Sequence, residues 1–420
     1  MRIALLNDSF PPVIDGVANV VTNYASILHK TGHDVTVATP EYPLAQDAYP
    51  YPVIRYASLN TTPLVGYRAG YPFSARAVQA LDQFAPDILH THCPVASTLL
   101  ARTVRESTHA PIVFTYHTKF DIDIRTAIKG ELLQKRLITA LVRNVEACDE
   151  VWTVSEGAGQ NLRSLGFTGT YRVMENGVDF AKGRADDALI DEVSRTYRLP
   201  ADKPVLLFAG RMRWYKGVRL ILEGLGKAKA QGARFTLLMV GEGTDRPAME
   251  QLAQDAGIGD DCIFTGAVRD RARLRAIYSR ADLFLFPSTF DTNGLVVREA
   301  AACSLPSLLV RGSCAAEGAA DHQNALLMEE NADSLCACVL WALDHMDEVH
   351  AIGERAADEL YISWDTAVAR AQARYAEILQ EGRSRPAHHA PADPIPFVSD
   401  CIEAINRMHD LHDKIKKHLE

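Results

Sequence analysis

Residues Phe284–Pro306 read FLFPSTFDTNGLVVREAAACSLP, and the fold of the chain turns on this stretch. Phe284–Phe286 is an apolar run suited to a buried strand, and Pro287-Ser288 stops it. Asp291, Thr292, Asn293 and Gly294 follow as a polar turn made of helix-capping residue types. From Leu295 the pattern becomes helical through Val296, Glu299, Ala300 and Cys303, up to Pro306. The first backbone N–H groups of such a helix lie free, which makes its N-terminus an anion site good for a phosphate. Asp291 falls in the turn, and Glu299, eight residues on, falls a little over one turn inside the helix. Taken alone, the pair reads as a helix cap and an ordinary surface acid.

The rest of the chain repeats the strand–turn–helix theme. Arg2–Asn7 is a strand, followed by a loop with Pro11, Pro12 and Gly16, a helix from about Val17 to Lys30, and a strand at Asp34–Thr39. This βαβ opening predicts a parallel sheet with right-handed crossovers. The loop lacks the spaced glycines of a dinucleotide fingerprint, which argues against a nicotinamide or flavin enzyme. Further strands are expected at Asp87–Thr91, Ile112–Tyr116, Val151–Val154 and Tyr171–Met174. Between Lys119 and Arg143, six bases face three acids, and Ile128, Leu132, Leu137 and Leu141 keep near-helical spacing. That segment reads as one basic amphipathic helix, compatible with an anionic membrane surface. After a polar connection, strands at Val205–Ala209, Phe235–Val240, Asp282–Phe286 and Ser307–Val310 alternate with helices, ending with helices at Ala332–Met346 and Asp365–Glu381.

Length and composition bound the function. A chain of 420 residues suggests two or three domains, and the alternation favours two of similar size. Apolar residues at 47% and charged residues at 23% are ordinary for a globular protein, and a net charge of −9 argues against general nucleic-acid binding. The N-terminal apolar run is too short for a signal peptide, and no run approaches the length of a membrane span. Eight scattered cysteines without Cys-x-x-Cys spacing read as free thiols in a reducing cytoplasm. His90, His92 and Cys93 lie close in sequence, but no spaced partner pair completes a set of metal ligands.

Several stretches together resemble the retaining glycosyltransferases of family 4, which have the GT-B fold. Gly210-Arg211-Met212-Arg213-Trp214-Tyr215-Lys216-Gly217 is similar to that family's G-R-x4-K-G signature. Asp291 and Glu299 resemble its Glu-x7-Glu motif, with aspartate in place of the first glutamate. Asn176-Gly177-Val178-Asp179 resembles the turn closing its first domain, and His117 stands where the family has a histidine at a strand end. The resemblance covers about residues 1–380 and implies an α/β chain of two Rossmann-like doubly wound domains facing a central cleft.

The domains implied are 1–180 on the acceptor side, a linker over 181–203, a nucleotide-sugar domain over 204–362, and a crossover helix over 363–381. A Pro/Ala/His linker over 382–396 and an amphipathic tail helix over 397–420 follow. The activity implied is transfer of a sugar from a UDP- or GDP-type donor with retained configuration, with neither metal nor cofactor. His117, Arg211, Lys216 and Asp291 would carry the chemistry. Gly16, Arg211, Lys216, Val268, Asn293, Gly294, Leu295 and Glu299 would bind the donor. The acceptor expected is a membrane lipid or lipid-linked glycan, reached from the cytoplasm at the inner face of the cell membrane. The alternatives are a sugar-nucleotide epimerase or hydrolase of the same fold, and a non-catalytic sugar-nucleotide binder.

Overall fold

Continuous apolar runs become the buried strands of two parallel sheets, the pattern expected when helices cover both faces. The protein is described from a computed structural model covering residues 1–13, 15–43, 45–61 and 68–382, without the side chains at 123, 126 and 127. The expected tail helix over 397–420, and its linker beyond residue 382, lie outside the described residues. The described residues divide into two compact units: Met1–Glu175 with the end of the last helix from Ala367, and Asn176–Thr366.

The first unit runs β1 (Arg2–Leu6), α1 (Gly16–Lys30), β2 (Asp34–Pro40), β3 (Val53–Tyr56) and a small hairpin, β4 (Ser58–Leu59) with β5 (Ala69–Gly70). It continues through α2 (Ala75–Phe84), β6 (Ile88–Thr91), α3 (Ala96–Thr108), β7 (Ile112–Tyr116), α4 (Phe120–Ala127) and α5 (Glu131–Glu146). It closes with β8 (Glu150–Thr153), α6 (Glu156–Ser164) and β9 (Arg172–Val173). Its seven strands lie in the order β3-β2-β1-β6-β7-β8-β9, all parallel, with the order reversing between β1 and β6.

The second unit runs α7 (Asp187–Thr196), β10 (Val205–Ala209), α8 (Val218–Ala230), β11 (Thr236–Val240), α9 (Arg246–Asp255), β12 (Cys262–Gly266) and α10 (Arg271–Arg280). Then come β13 (Leu283–Phe286), α11 (Leu295–Ala302), β14 (Ser307–Val310), β15 (Leu326–Met328), α12 (Ala332–Asp344) and α13 (Met346–Glu359). Its six parallel strands are ordered β12-β11-β10-β13-β14-β15. The last helix, α14 (Trp364–Gly382), returns the chain to the first unit. There Tyr375 stacks on Trp152 with ring centroids 5.4 Å apart, and Arg374 donates to Glu150 at 2.8 Å.

Four local readings change. The segment Lys119–Arg143 is two helices, because Ile128 is extended and Gly130 takes φ 106°, where a continuous helix cannot pass. Leu132 is 68% exposed, and the buried stripe is instead Leu137, Ile138, Leu141, Val142 and Val145. The helix begun at Leu295 stops at Ala302, well before Pro306. Ser304 takes the left-handed conformation at φ 55°, and Leu305 donates back to the Ala300 carbonyl at 2.9 Å, a helix-ending arrangement. The stretch 181–203 carries α7, whose Ile190 and Val193 are buried in the core of the second unit. Among the described residues all seven cysteines are free thiols.

Candidate active site

In the second sheet, β10 leads outward to β11 and β12, and the chain then returns to β13 on the other side of β10. Carboxyl ends at such a reversal open a crevice in which α/β sheets bind ligands. The loop after β10 carries Arg211 and Lys216, and the loop after β13 carries Asp291. Gly217 lets these loops touch. Its φ is 76°, and an added Cβ would collide with the Pro287 carbonyl oxygen. Lys216 Nζ consequently donates to Asp291 Oδ1 at 2.5 Å, and Ser288 Oγ donates to Asp291 Oδ2 at 2.6 Å. Lys216 Nζ also lies 5.7 Å from the Tyr215 ring centroid and 5.8 Å from that of Phe286.

Asp291 therefore does not cap α11. The residue before that helix is Gly294, left-handed at φ 57°, and no side chain bonds the amides of the first turn. An uncapped helix start beside a half-buried lysine is a place for an anion. Asn293 Nδ2, in the same turn, is shielded from solvent without a hydrogen-bond partner. Arg211 is exposed and pairs with no acid among the described residues. Val268 follows β12 and packs partly buried on the core.

Glu299 lies on α11 and is mostly buried. Its Oε1 accepts from Arg271 Nη2 at 2.6 Å, and its Oε2 accepts from the Tyr278 hydroxyl at 3.2 Å. Burial raises its pKa, and the Arg271 guanidinium opposes the rise. Arg271 also grips Asp179 and lies 4.4 Å over the Phe180 ring. Sequence reasoning singled out Glu299 and the turn at Asp179, but missed Arg271 and Tyr278. Both sit in a helix whose pattern carries no chemical signal of its own.

Gly16 and His117 belong to the first unit. Gly16 is the first residue of α1, and a Cβ there would meet nothing within 4 Å, so the fold itself does not require glycine. Asp15 caps that helix, accepting from Val17 N and Ala18 N at 2.8 Å each. These amides are thus already bonded to a carboxylate. His117 follows β7 and is buried, with its Nε2 2.9 Å from His92 Nδ1. His90 has both ring nitrogens engaged, by the Tyr375 hydroxyl at 2.5 Å and by Thr115 Oγ1 at 2.7 Å. Among the described residues no three His, Cys, Asp or Glu side chains are grouped to hold a metal ion.

Burial pushes the His117 pKa down to about 3, and lowers His90 and His92 well below the usual histidine value. All three are neutral near neutral pH. The stability they leave intact above about pH 6.5 is lost as pH falls from there toward about 3 for His117. The midpoint of thermal unfolding is expected to drop on acidification from neutral to about pH 5, and His117→Gln should flatten that slope. An unchanged slope in the variant would show that His117 is not a source of it.

Two parallel α/β units in one chain, the second presenting cations and an uncapped helix at its strand reversal, make the architecture of a GT-B glycosyltransferase. The chain belongs to glycosyltransferase family 4: residues 14–182 match Glycosyltransferase Family 4, and residues 190–359 match Glycosyl transferases group 1. It is 25% identical to the alpha-monoglucosyldiacylglycerol synthase of Streptococcus pneumoniae, over 73% of this chain and 70% of that one. It is 27% identical to a GDP-mannose-dependent alpha-mannosyltransferase of Mycobacterium tuberculosis, over 78% and 84%. In fold it resembles the sucrose-phosphate synthase of Thermosynechococcus elongatus, with a TM-score of 0.71 and 22% identity, over 90% of this chain and 99% of that one.

Proposed function

We propose that this glycosyltransferase moves a sugar from a nucleoside-diphosphate donor to a lipid or lipid-linked acceptor, with retained configuration and without a metal ion or cofactor. The observation that carries the donor half is the Lys216–Asp291 pair at the strand reversal, beside the uncapped start of α11. As the glycosidic bond breaks, the departing diphosphate gains negative charge, and a fixed cation that binds it more tightly then lowers the barrier. Lys216 and Arg211 supply this charge in place of a divalent cation. Lys216 exchanges Asp291 for phosphate oxygen, the amides of Asn293–Leu295 assist, and Val268 lines the edge where the base rests. Glu299 receives the ribose hydroxyls. Asp291, released from Lys216, turns to the donor sugar. Retention is supported by the relatives' names: both specify α products, and the common glucose and mannose nucleotide donors are α-linked.

Asp291 is one methylene shorter than the family's glutamate. Asp291→Glu is expected to stay active with an altered donor preference, and Asp291→Ala to lose most turnover. Steady-state rates with several donors test this, and wild-type rates in the alanine variant would contradict it.

The acceptor half is supported by α5 and by the glycolipid named for the Streptococcus relative. Lys135, Arg136 and Arg143 are exposed there together with Leu132, and Lys129 is exposed just before it. Bases around an exposed leucine suit an anionic interface. Among the described residues no helix is long and apolar enough to cross a membrane. The contact we propose is peripheral, at the inner face of the cell membrane. Co-sedimentation with anionic vesicles is expected to exceed that with neutral vesicles and to weaken with salt. Equal, poor binding to both would overturn the membrane reading.

A further inference from the structure

Glu299 presents a physical problem that its neighbours solve. A carboxylate on the buried face of α11 is costly to ionise, yet only the ionised form offers both oxygens as acceptors to a pair of hydroxyls. The side chain of Glu299 is 12% exposed, and burial is the largest influence on its pKa, in the upward direction. The groups facing it are few. Arg271 and Tyr278 come from α10, Asp179 from the segment before α7, and Cys303 from the turn after its own helix.

Arg271 is itself fixed. Its Nε donates to Asp179 Oδ2 at 2.9 Å, Nη2 is shared between Asp179 and Glu299, and its plane lies over Phe180. Asp179 begins the segment pinned by the Tyr361 hydroxyl, which donates to the Phe180 carbonyl at 3.1 Å. An arginine held at both ends presents a planar fork that sets where its partner carboxylate points.

We propose that Arg271 is a positioning residue for the donor nucleotide: clamped by Asp179 and Phe180, it holds Glu299 ionised and oriented toward the ribose hydroxyls. The proposal rests on the donor reading above and adds a residue that the family motifs do not contain. Arg271 acts only through Glu299, so its loss should be felt by a nucleotide with ribose hydroxyls and not by one without them. With the guanidinium gone, only the Tyr278 hydrogen bond still opposes burial, and Glu299 takes up a proton at higher pH. Donor affinity in the variant should therefore worsen as pH falls, because a protonated carboxyl loses one of its acceptors.

The test uses the full chain and titrations with UDP and GDP, each against its 2′,3′-dideoxy counterpart measured by displacement. Arg271→Ala is expected to raise the Kd of the ribonucleotide by on the order of tenfold near pH 6 and less above pH 8, with the dideoxy Kd unchanged. Arg271→Gln, which keeps the helix and removes the charge, should reproduce that pH dependence if the alanine variant does not fold. Equal losses for ribo- and dideoxynucleotides, or a ribonucleotide Kd that stays at the wild-type value, would overturn the proposal. A wild-type protein that binds neither UDP nor GDP would instead overturn the donor reading itself, before any variant is compared.

Discussion

Lys216→Ala should lower kcat by on the order of 10²-fold or more, about 2.7 kcal/mol of lost transition-state stabilisation, with a much smaller change in donor KM. The direction follows from when the contact strengthens. Charge builds on the diphosphate as the bond to the sugar breaks, so a cation there favours the transition state over the bound donor. The geometry adds a second cost. Asp291 accepts from Lys216 and Ser288, so without the lysine its carboxylate loses its only cation among the described contacts. Lys216→Arg should recover part of the rate at most, because a planar guanidinium does not fill the place of a compact ammonium. A variant with intact kcat and a raised KM would show that Lys216 only binds.

The second large effect is expected at Gly217, a residue that touches no substrate. A Cβ there meets the Pro287 carbonyl oxygen, and φ 76° is a conformation that side chains disfavour by about 1–2 kcal/mol. Gly217→Ala must lift the loop after β10 away from the loop after β13, which moves Lys216 off Asp291. Turnover is expected to fall nearly as far as in Lys216→Ala, while the unfolding midpoint drops by only a few degrees. Measuring both on one preparation separates the effects. Wild-type turnover in a folded Gly217→Ala protein would show that the contact between the loops is not needed.

Much of this was readable in the residues. The strands Ile112–Tyr116, Val205–Ala209 and Ser307–Val310 fall where the apolar runs placed them, because a buried parallel strand needs a continuous apolar run and little else. Strand order followed less directly: it depends on which crossover returns to which side, and no local pattern encodes that. At the site, Asp291 taken alone read as a helix cap, and only the motif it resembles made it a site residue. What separates the readings is a contact with Lys216, 75 residues away, made through Gly217 and Pro287. Arg271 was invisible for the same reason. It sits in a helix rich in arginine, and only folding shows that this one reaches Glu299 and Asp179. The break at Gly130 was missed because apolar spacing continued across it while the backbone did not.

The central claim is that the cations after β10 serve sugar transfer to an acceptor. The most direct test incubates the protein with UDP- and GDP-sugars and diacylglycerol in anionic vesicles, and resolves the products by mass spectrometry and NMR. The account predicts a glycosylated lipid in the α configuration, nucleoside diphosphate released in equal amount, and both lost together in Lys216→Ala. Nucleoside diphosphate released at the same rate without any acceptor, or donor bound and returned unchanged under every condition, would contradict it.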